Sequence, residues 1–257
     1  MDRTDLASQA ETLRRLHVPG SPVVLTNIWD AASARLVAEA GFPAVATSSG
    51  AVAAALGYED DDSMPADEAF GAVKRVAAAV SVPVTADLEA GYQLSAEEFV
   101  ERLLEAGAVG CNLEDTDHHG DGDLRDPNEH SDWLGSVKET ATAAGVNIVV
   151  NARIDVFLST RERTRAMLEE ALERARLYLK AGADCLYPIR LSEGPLLKEF
   201  VQQVDAPVNV WARNAPPLAE LAGLGVARVS FAGDLMHRSY ETLHHELTAI
   251  RSEASFD

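Results

Sequence analysis

The sequence predicts an α/β chain folded as a (βα)8 TIM barrel, and three observations carry that reading. Short runs rich in β-branched and apolar residues alternate with helical stretches of Ala, Leu, Glu and Arg eight times in 257 residues. Glycine or proline marks most of the junctions where a helix stops and the next strand starts. The doubly wound alternative lacks its signature, because no G-x-G-x-x-G follows the first strand. Eight βα units in this length suit a closed parallel barrel better than an open sheet.

The elements follow in order. A helix is expected at 5–16, ahead of the barrel. Strands are expected at 23–29, 44–48, 82–89, 109–115, 147–155, 184–190, 207–211 and 227–231. Gly41, Gly107, Gly145, Gly182 and Gly225 stand where helices end, and Pro83 and Pro207 open strands that follow helices. A last helix is expected at 234–251, with Leu235, Met236, Leu243, Leu247 and Ile250 at roughly helical spacing. No Pro/Ser/Gly-rich linker divides the chain, which reads as one barrel domain over 1–257.

Composition narrows the partners. The chain is 47% hydrophobic and 25% charged, a globular balance, and 22 Lys and Arg against 41 Asp and Glu give a net charge of −19. That charge repels nucleic-acid phosphates and acidic lipid, so a small molecule is the expected partner. Cys111 and Cys185 lie in apolar runs and read as buried free thiols of a reducing cytoplasm. Met1 is followed by Asp2, Arg3, Thr4 and Asp5, and no run of about 18 apolar residues occurs, so neither export nor a membrane span is expected.

Barrel chemistry sits at the C-terminal ends of strands, which makes the polar residues there the candidates. The first strand ends Asn27-Ile28-Trp29-Asp30, the second Thr47-Ser48-Ser49-Gly50, the third Asp87-Leu88-Glu89, the fourth Asn112-Leu113-Glu114-Asp115 and the fifth Asn151-Ala152-Arg153-Ile154-Asp155. Period-two alternation puts Asp87 and Glu89 on one face, and Glu114 joins them if its face also points inward. Converging carboxylates repel one another unless a cation lies between them, and an all-oxygen set suits Mg2+ or Mn2+ rather than zinc. The alternative is that these acids cap helices or solvate loops. Arg153 offers a guanidinium for a carboxylate or phosphonate, or else an ion pair with the acids. Ser48, Ser49 and Gly50 form either an anion cradle or a plain loop.

The stretch 116–133 is long and polar, like a lid, and contains His118, His119 and Asp121. Each is either a solvated loop residue or a catalytic acid or base. No P-loop, nucleophile elbow or Cys–His pairing is visible, which disfavours covalent catalysis.

Together these stretches resemble the isocitrate lyase/phosphoenolpyruvate mutase superfamily. The resemblance rests on Asn27-Ile28-Trp29-Asp30-Ala31-Ala32-Ser33-Ala34, Thr47-Ser48-Ser49-Gly50, Leu56-Gly57-Tyr58-Glu59-Asp60, Ala86-Asp87-Leu88-Glu89-Ala90-Gly91-Tyr92, Asn112-Leu113-Glu114-Asp115 and Asn151-Ala152-Arg153-Ile154-Asp155, in family order. It implies a Mg2+-dependent (βα)8 enzyme that holds a 2-oxo acid or its enolate on the metal and makes or breaks a C–C or P–C bond. It implies Asp87, Glu89 and Glu114 as metal ligands, directly or through water, Asp60 nearby, and Ser48, Ser49 and Arg153 on the substrate. It further implies a homotetramer or homodimer in which the last helix is exchanged between subunits.

The departures bear on which reaction. The lyase lid motif Lys-Lys/Arg-Cys-Gly-His is replaced by His118-His119-Gly120-Asp121-Gly122-Asp123-Leu124-Arg125, without Cys or Lys. This argues against an isocitrate or methylisocitrate lyase and leaves His118, His119 or Asp121 to replace the lid acid or base. A mutase's Lys-Thr-Asn-Ser lid and its His near the end of the sixth strand are also absent, with Pro188-Ile189-Arg190 at that strand end. A 2-oxo acid sensor without turnover is the competing reading.

Overall fold

The computed structural model describes residues 2–158 and 162–253. The expectation of one domain over 1–257 falls partly outside them, at residues 1, 159–161 and 254–257. All eight expected strands are present, and the first is split. The strands are β1 (Val23–Leu25), β2 (Asn27–Ile28), β3 (Val45–Thr47), β4 (Val84–Asp87), β5 (Gly110–Glu114), β6 (Val149–Ile154), β7 (Cys185–Pro188), β8 (Asn209–Trp211) and β9 (Arg228–Ser230). Every ladder between them is parallel.

The ladders run β2-β3-β4-β5-β6-β7 and β1-β9-β8. They meet at Thr26, between β1 and β2, and at a parallel bridge from Leu186 to Val208. This is the barrel order, and it explains the split: Leu25 pairs with Ser230 on one side, whereas Asn27 pairs with Ala46 on the other. Trp29, expected at the end of that strand, lies beyond it.

The outer helices follow their sequence signals. In α5 (Ala96–Glu105), Ser95 caps the first turn and Phe99, Val100, Leu103 and Leu104 form the buried stripe. In α2 (Ala31–Glu39), Asp30 and Ser33 form a reciprocal cap. The leading helix α1 (Arg3–Leu16) begins two residues earlier than expected, because Asp2 caps it by accepting from Thr4 and Asp5 N–H groups. It closes the end of the barrel opposite the site: a Cβ added to Gly110 would stand 2.7 Å from Leu13 Cδ2. Arg14 secures the helix through Asp184, with Nε donating at 3.0 Å.

The stretch 116–133 is not one long loop. Helix α6 (Pro127–Ala143) begins inside it, with Asp126 as cap and proline in its first turn. The remaining loop, 116–126, is folded on itself by the antiparallel bridge Thr116–Leu124 and by Asp117 N–H donating to Asp123 O at 2.8 Å. The last helix, α10 (Asp234–Glu253), buries only Asp234 and Met236 among its described residues. Cys111 and Cys185 are free and buried, as expected, and burial pushes both thiols up to about 12.

Candidate active site

The strand ends open into a cavity of about 490 Å³ whose lining includes Ser48, Ser49, Gly50, Asp60, Asp87, Glu114, His118 and Arg153. Eight of the eleven residues that the sequence offers for the site therefore share one space; Glu89, His119 and Asp121 do not line it.

Helix α3 (Ser49–Leu56) aims its N-terminus at Asp87. Ser49 donates both its N–H and its hydroxyl to Asp87 Oδ2, each at 3.3 Å, while Ser48 caps the helix. The partial positive charge of a helix start suits an anion. Gly50 is needed for a close approach, since a Cβ there would stand 2.8 Å from Asp60 Oδ2. Asp87 Oδ1 is buried and has no hydrogen-bond partner among the described residues. Burial pushes the Asp87 carboxyl up, opposed by the Arg153 charge.

Arg153 faces Glu114 directly, as its register partner on the neighbouring strand. Its Nη1 pairs with Glu114, and its Nε and Nη2 donate to the two oxygens of Asp155 at 2.7 and 2.8 Å. The ion pair considered as the alternative for Arg153 is therefore present, and the guanidinium still lines the cavity. Glu114 shares its Oε1 with His118 Nε2 at 2.5 Å, and that contact raises the imidazole pKa. Burial pushes the Glu114 carboxyl up, with the Arg153 charge opposing it.

The three acids expected to hold a metal are not gathered into one cluster. Glu89 lies past the end of β4 with a left-handed φ of 49°, so strand alternation no longer governs its direction. Its carboxylate instead accepts from Asp62 N–H and from Tyr92 Oη at 2.8 Å, and burial pushes it up to about 7. Among the described residues no three His, Cys, Asp or Glu side chains form a ready-made metal site. The donor chemistry nonetheless fits a hard cation, since Asp87 is on the cavity lining and its buried Oδ1 has no hydrogen-bond partner among the described residues. Mg2+ is commonly held by one or two carboxylates and completes its shell with water.

His118 and His119, adjacent in sequence, diverge. His119 Nε2 meets Asp62 Oδ2 at 2.8 Å, away from the cavity lining. A catalytic role for His119 is not supported by this placement. It ties the 116–126 loop to the segment carrying Asp60, while Asp121 is exposed.

The sequence profile of the phosphoenolpyruvate phosphomutase family matches residues 13–251. The chain belongs to that family. A 2-methylisocitrate lyase from Escherichia coli is 28% identical, over 88% of this chain and 78% of its own length. A phosphoenolpyruvate phosphomutase from Streptomyces hygroscopicus is 28% identical, over 98% of this chain and 83% of its own. Among solved structures, a protein from Burkholderia cenocepacia provisionally called a phosphonomutase superposes with a TM-score of 0.89 at 38% identity, covering 95% of this chain and 99% of its own. The family is one of enzymes, carbon–carbon lyases and phosphonomutases.

Within the family fold, the cavity also takes in Tyr187, Arg190, Trp211, Arg213 and His237, none of which sequence reasoning singled out as a site residue. The signal was available for four of them. Tyr187, Arg190, Trp211 and Arg213 stand at or just past the ends of β7 and β8, where the strand-end rule applies as it does for the first five strands.

Proposed function

We propose that this chain is a divalent-cation-dependent enzyme acting on a 2-oxo acid or a related small carboxylate, making or breaking a C–C or P–C bond beside the oxo group. The observation that carries this reading is Asp87, which lines the cavity beside Arg153 and whose buried Oδ1 has no hydrogen-bond partner among the described residues. Asp87 would hold Mg2+ or Mn2+, with Glu114 and Asp60 on the same cavity lining, while Glu89 is turned to Asp62 and Tyr92. When bound, the cation would supply electrostatic stabilisation of the negative charge that develops on the oxo oxygen.

The remaining roles follow from this chain's own groups. Asp155 and Glu114 occupy three of the five N–H donors of a guanidinium, leaving two on Arg153 to hold a substrate carboxylate. The two acids fix its orientation, so little rotamer freedom is lost on binding. Ser48 and Ser49 present hydroxyls beside the helix start. His118, on the cavity lining and hydrogen-bonded to Glu114, is the group of the 116–126 loop placed to give or take a proton.

The same reading places the protein in the cytoplasm as one barrel domain, and no helix among the described residues is long and apolar enough to cross a membrane. Tyr240, Leu243, Leu247 and Ile250 of α10 are about half exposed. These side chains are proposed to pack on another copy in a homodimer or homotetramer.

The test incubates the protein with 2-oxo and 2-hydroxy di- and tricarboxylates and phosphonopyruvate, with Mg2+ or with EDTA, following products by NMR. Metal-dependent turnover of one acid is the expected result. Saturable binding of a 2-oxo acid, with no product from any, would replace this reading with the silent sensor.

A further inference from the structure

Below the cavity floor, the strand residues two positions before the cavity-lining ones form a second inward layer: Thr85, Gly110, Asn151, Cys185, Asn209 and Arg228. All are buried, and Arg228, on β9, is the charged group among them, at 0% exposure. A cation withdrawn from water is costly unless a partner offsets it. Arg228 forms no ion pair with an acid among the described residues, and its Nε and Nη1 have no hydrogen-bond partner there. Burial lowers its pKa, opposed by Cys185, Tyr187, Asp87 and Cys111, of which Asp87 is the one carboxyl.

What Arg228 does hold is Asn112. Its Nη2 donates to Asn112 Oδ1 at 3.2 Å, a contact that crosses the barrel from β9 to β5. Asn151 Nδ2 donates to the same oxygen at 2.8 Å. Two donors on Oδ1 fix which way the amide is turned, because the flipped amide would set its NH2 against a guanidinium and a second NH2. The Asn112 NH2 is thereby turned away from the layer below. Asn112 lines the cavity and is the register partner of Asp87 on the neighbouring strand. Burial pushes the Asp87 carboxyl up, and the Asn112 amide works against that rise, as an N–H donor beside a carboxylate does.

We propose that Arg228 is a positioning residue beneath the floor: it turns the Asn112 NH2 into the cavity and, through its buried positive charge, makes that floor a binding face for the negatively charged end of the substrate. This rests on the reading of the cavity given under Proposed function. The two effects have the same sign for an anion. An oriented N–H donor and a charge behind it in a low-dielectric interior both favour negative charge above them.

The test compares wild type, R228M and R228K. Met keeps much of the volume and removes the charge and the donors, while Asn112 Oδ1 keeps Asn151. Because R228M removes a buried cation that has no acid partner, it is expected to melt at or above the wild-type temperature. In protein labelled with 15N-asparagine, the Asn112 side-chain NH2 signals, assigned by their loss in N112D, should move in R228M. Calorimetry on the Mg2+-loaded protein should show pyruvate binding about tenfold weaker in R228M, the scale of a hydrogen bond to a charged group. R228K should recover part of that loss.

Pyruvate affinity in R228M within about twofold of wild type overturns the proposal, and so do Asn112 signals that stay in place. A melting temperature that falls in R228M and returns in R228K together with the affinity assigns Arg228 to holding the fold, which also overturns it. If wild type binds no pyruvate, the 2-oxo acid reading fails on its own. In that case moved Asn112 signals still support the positioning by Arg228, and unmoved ones remove it.

Discussion

Replacing Arg153 with Met tests whether one guanidinium holds the acid side of the site together. The side chains involved are largely withdrawn from water: Arg153, where it lines the cavity, is 12% exposed, Glu114 3% and Asp155 0%. Met keeps much of the volume and removes three charge-assisted hydrogen bonds, leaving two buried carboxylates without their cation. Breaking a buried pair costs about 3–5 kcal/mol, and with two acids depending on one Arg the upper end is expected. That is a large fraction of the roughly 5–15 kcal/mol by which a domain is stable. The sign of the pH effect follows from Glu114, whose carboxyl burial already pushes up against the Arg153 charge. Without that charge its folded pKa rises further above the unfolded value, so the penalty appears as pH rises through that interval and is relieved as pH falls. Urea unfolding in EDTA should show a larger deficit for R153M at pH 8 than at pH 5. Adding E114Q to R153M should recover part of it. A deficit under about 1 kcal/mol at both pH values would refute the argument, because a pair that fixes the site cannot be worth so little when buried.

Two further predictions follow from groups elsewhere in the fold. His130 is 1% exposed, and neither ring nitrogen has a partner among the described residues; burial, then the Arg125 charge, lowers its pKa to about 3. Its unfolded form binds a proton below about pH 6.5 and its folded form does not, so stability falls as pH drops from 6.5 toward 3. His130 accounts for about 2 kcal/mol of loss at pH 5, and H130F, still packed edge-on to Tyr178, should lose that much less between pH 8 and pH 5. Parallel urea-derived pH profiles for the two proteins would show the account to be wrong. Gly50→Ala should hold or raise stability by up to about 1 kcal/mol through helix propensity. The new Cβ must displace the exposed Asp60 carboxylate, so Mg2+-dependent turnover should fall; an unchanged rate with the panel acid that wild type turns over would remove Asp60 from the site.

Much of this was legible locally. The runs that became β3 to β9 are short, apolar or β-branched and mostly bounded by Gly or Pro, so their existence followed from residue type alone. The break at Thr26 was not legible, because 23–29 is one continuous run and its halves separate only by pairing with different neighbours. The start of α6 was hidden by polar composition, although Asp126-Pro127 carries a cap and first-turn signal. Arg190 and Arg213 stand just past the ends of β7 and β8, and their residue type alone did not separate them from surface arginines.

By itself the sequence determined the eight βα units, the family, and the placing of Asp87, Glu114 and Arg153 at strand ends, since these depend on residue type and short-range order. Only the tertiary structure decided which charge meets which. Glu114 faces Arg153 through the register of β5 and β6, and Ser49 meets Asp87 across 38 residues of chain. Glu89, read by alternation as a partner of Asp87, turns to Asp62 and Tyr92 because the strand has already ended. Burial then sets the charge states, and burial comes from the packing of the whole barrel rather than from any local stretch of sequence.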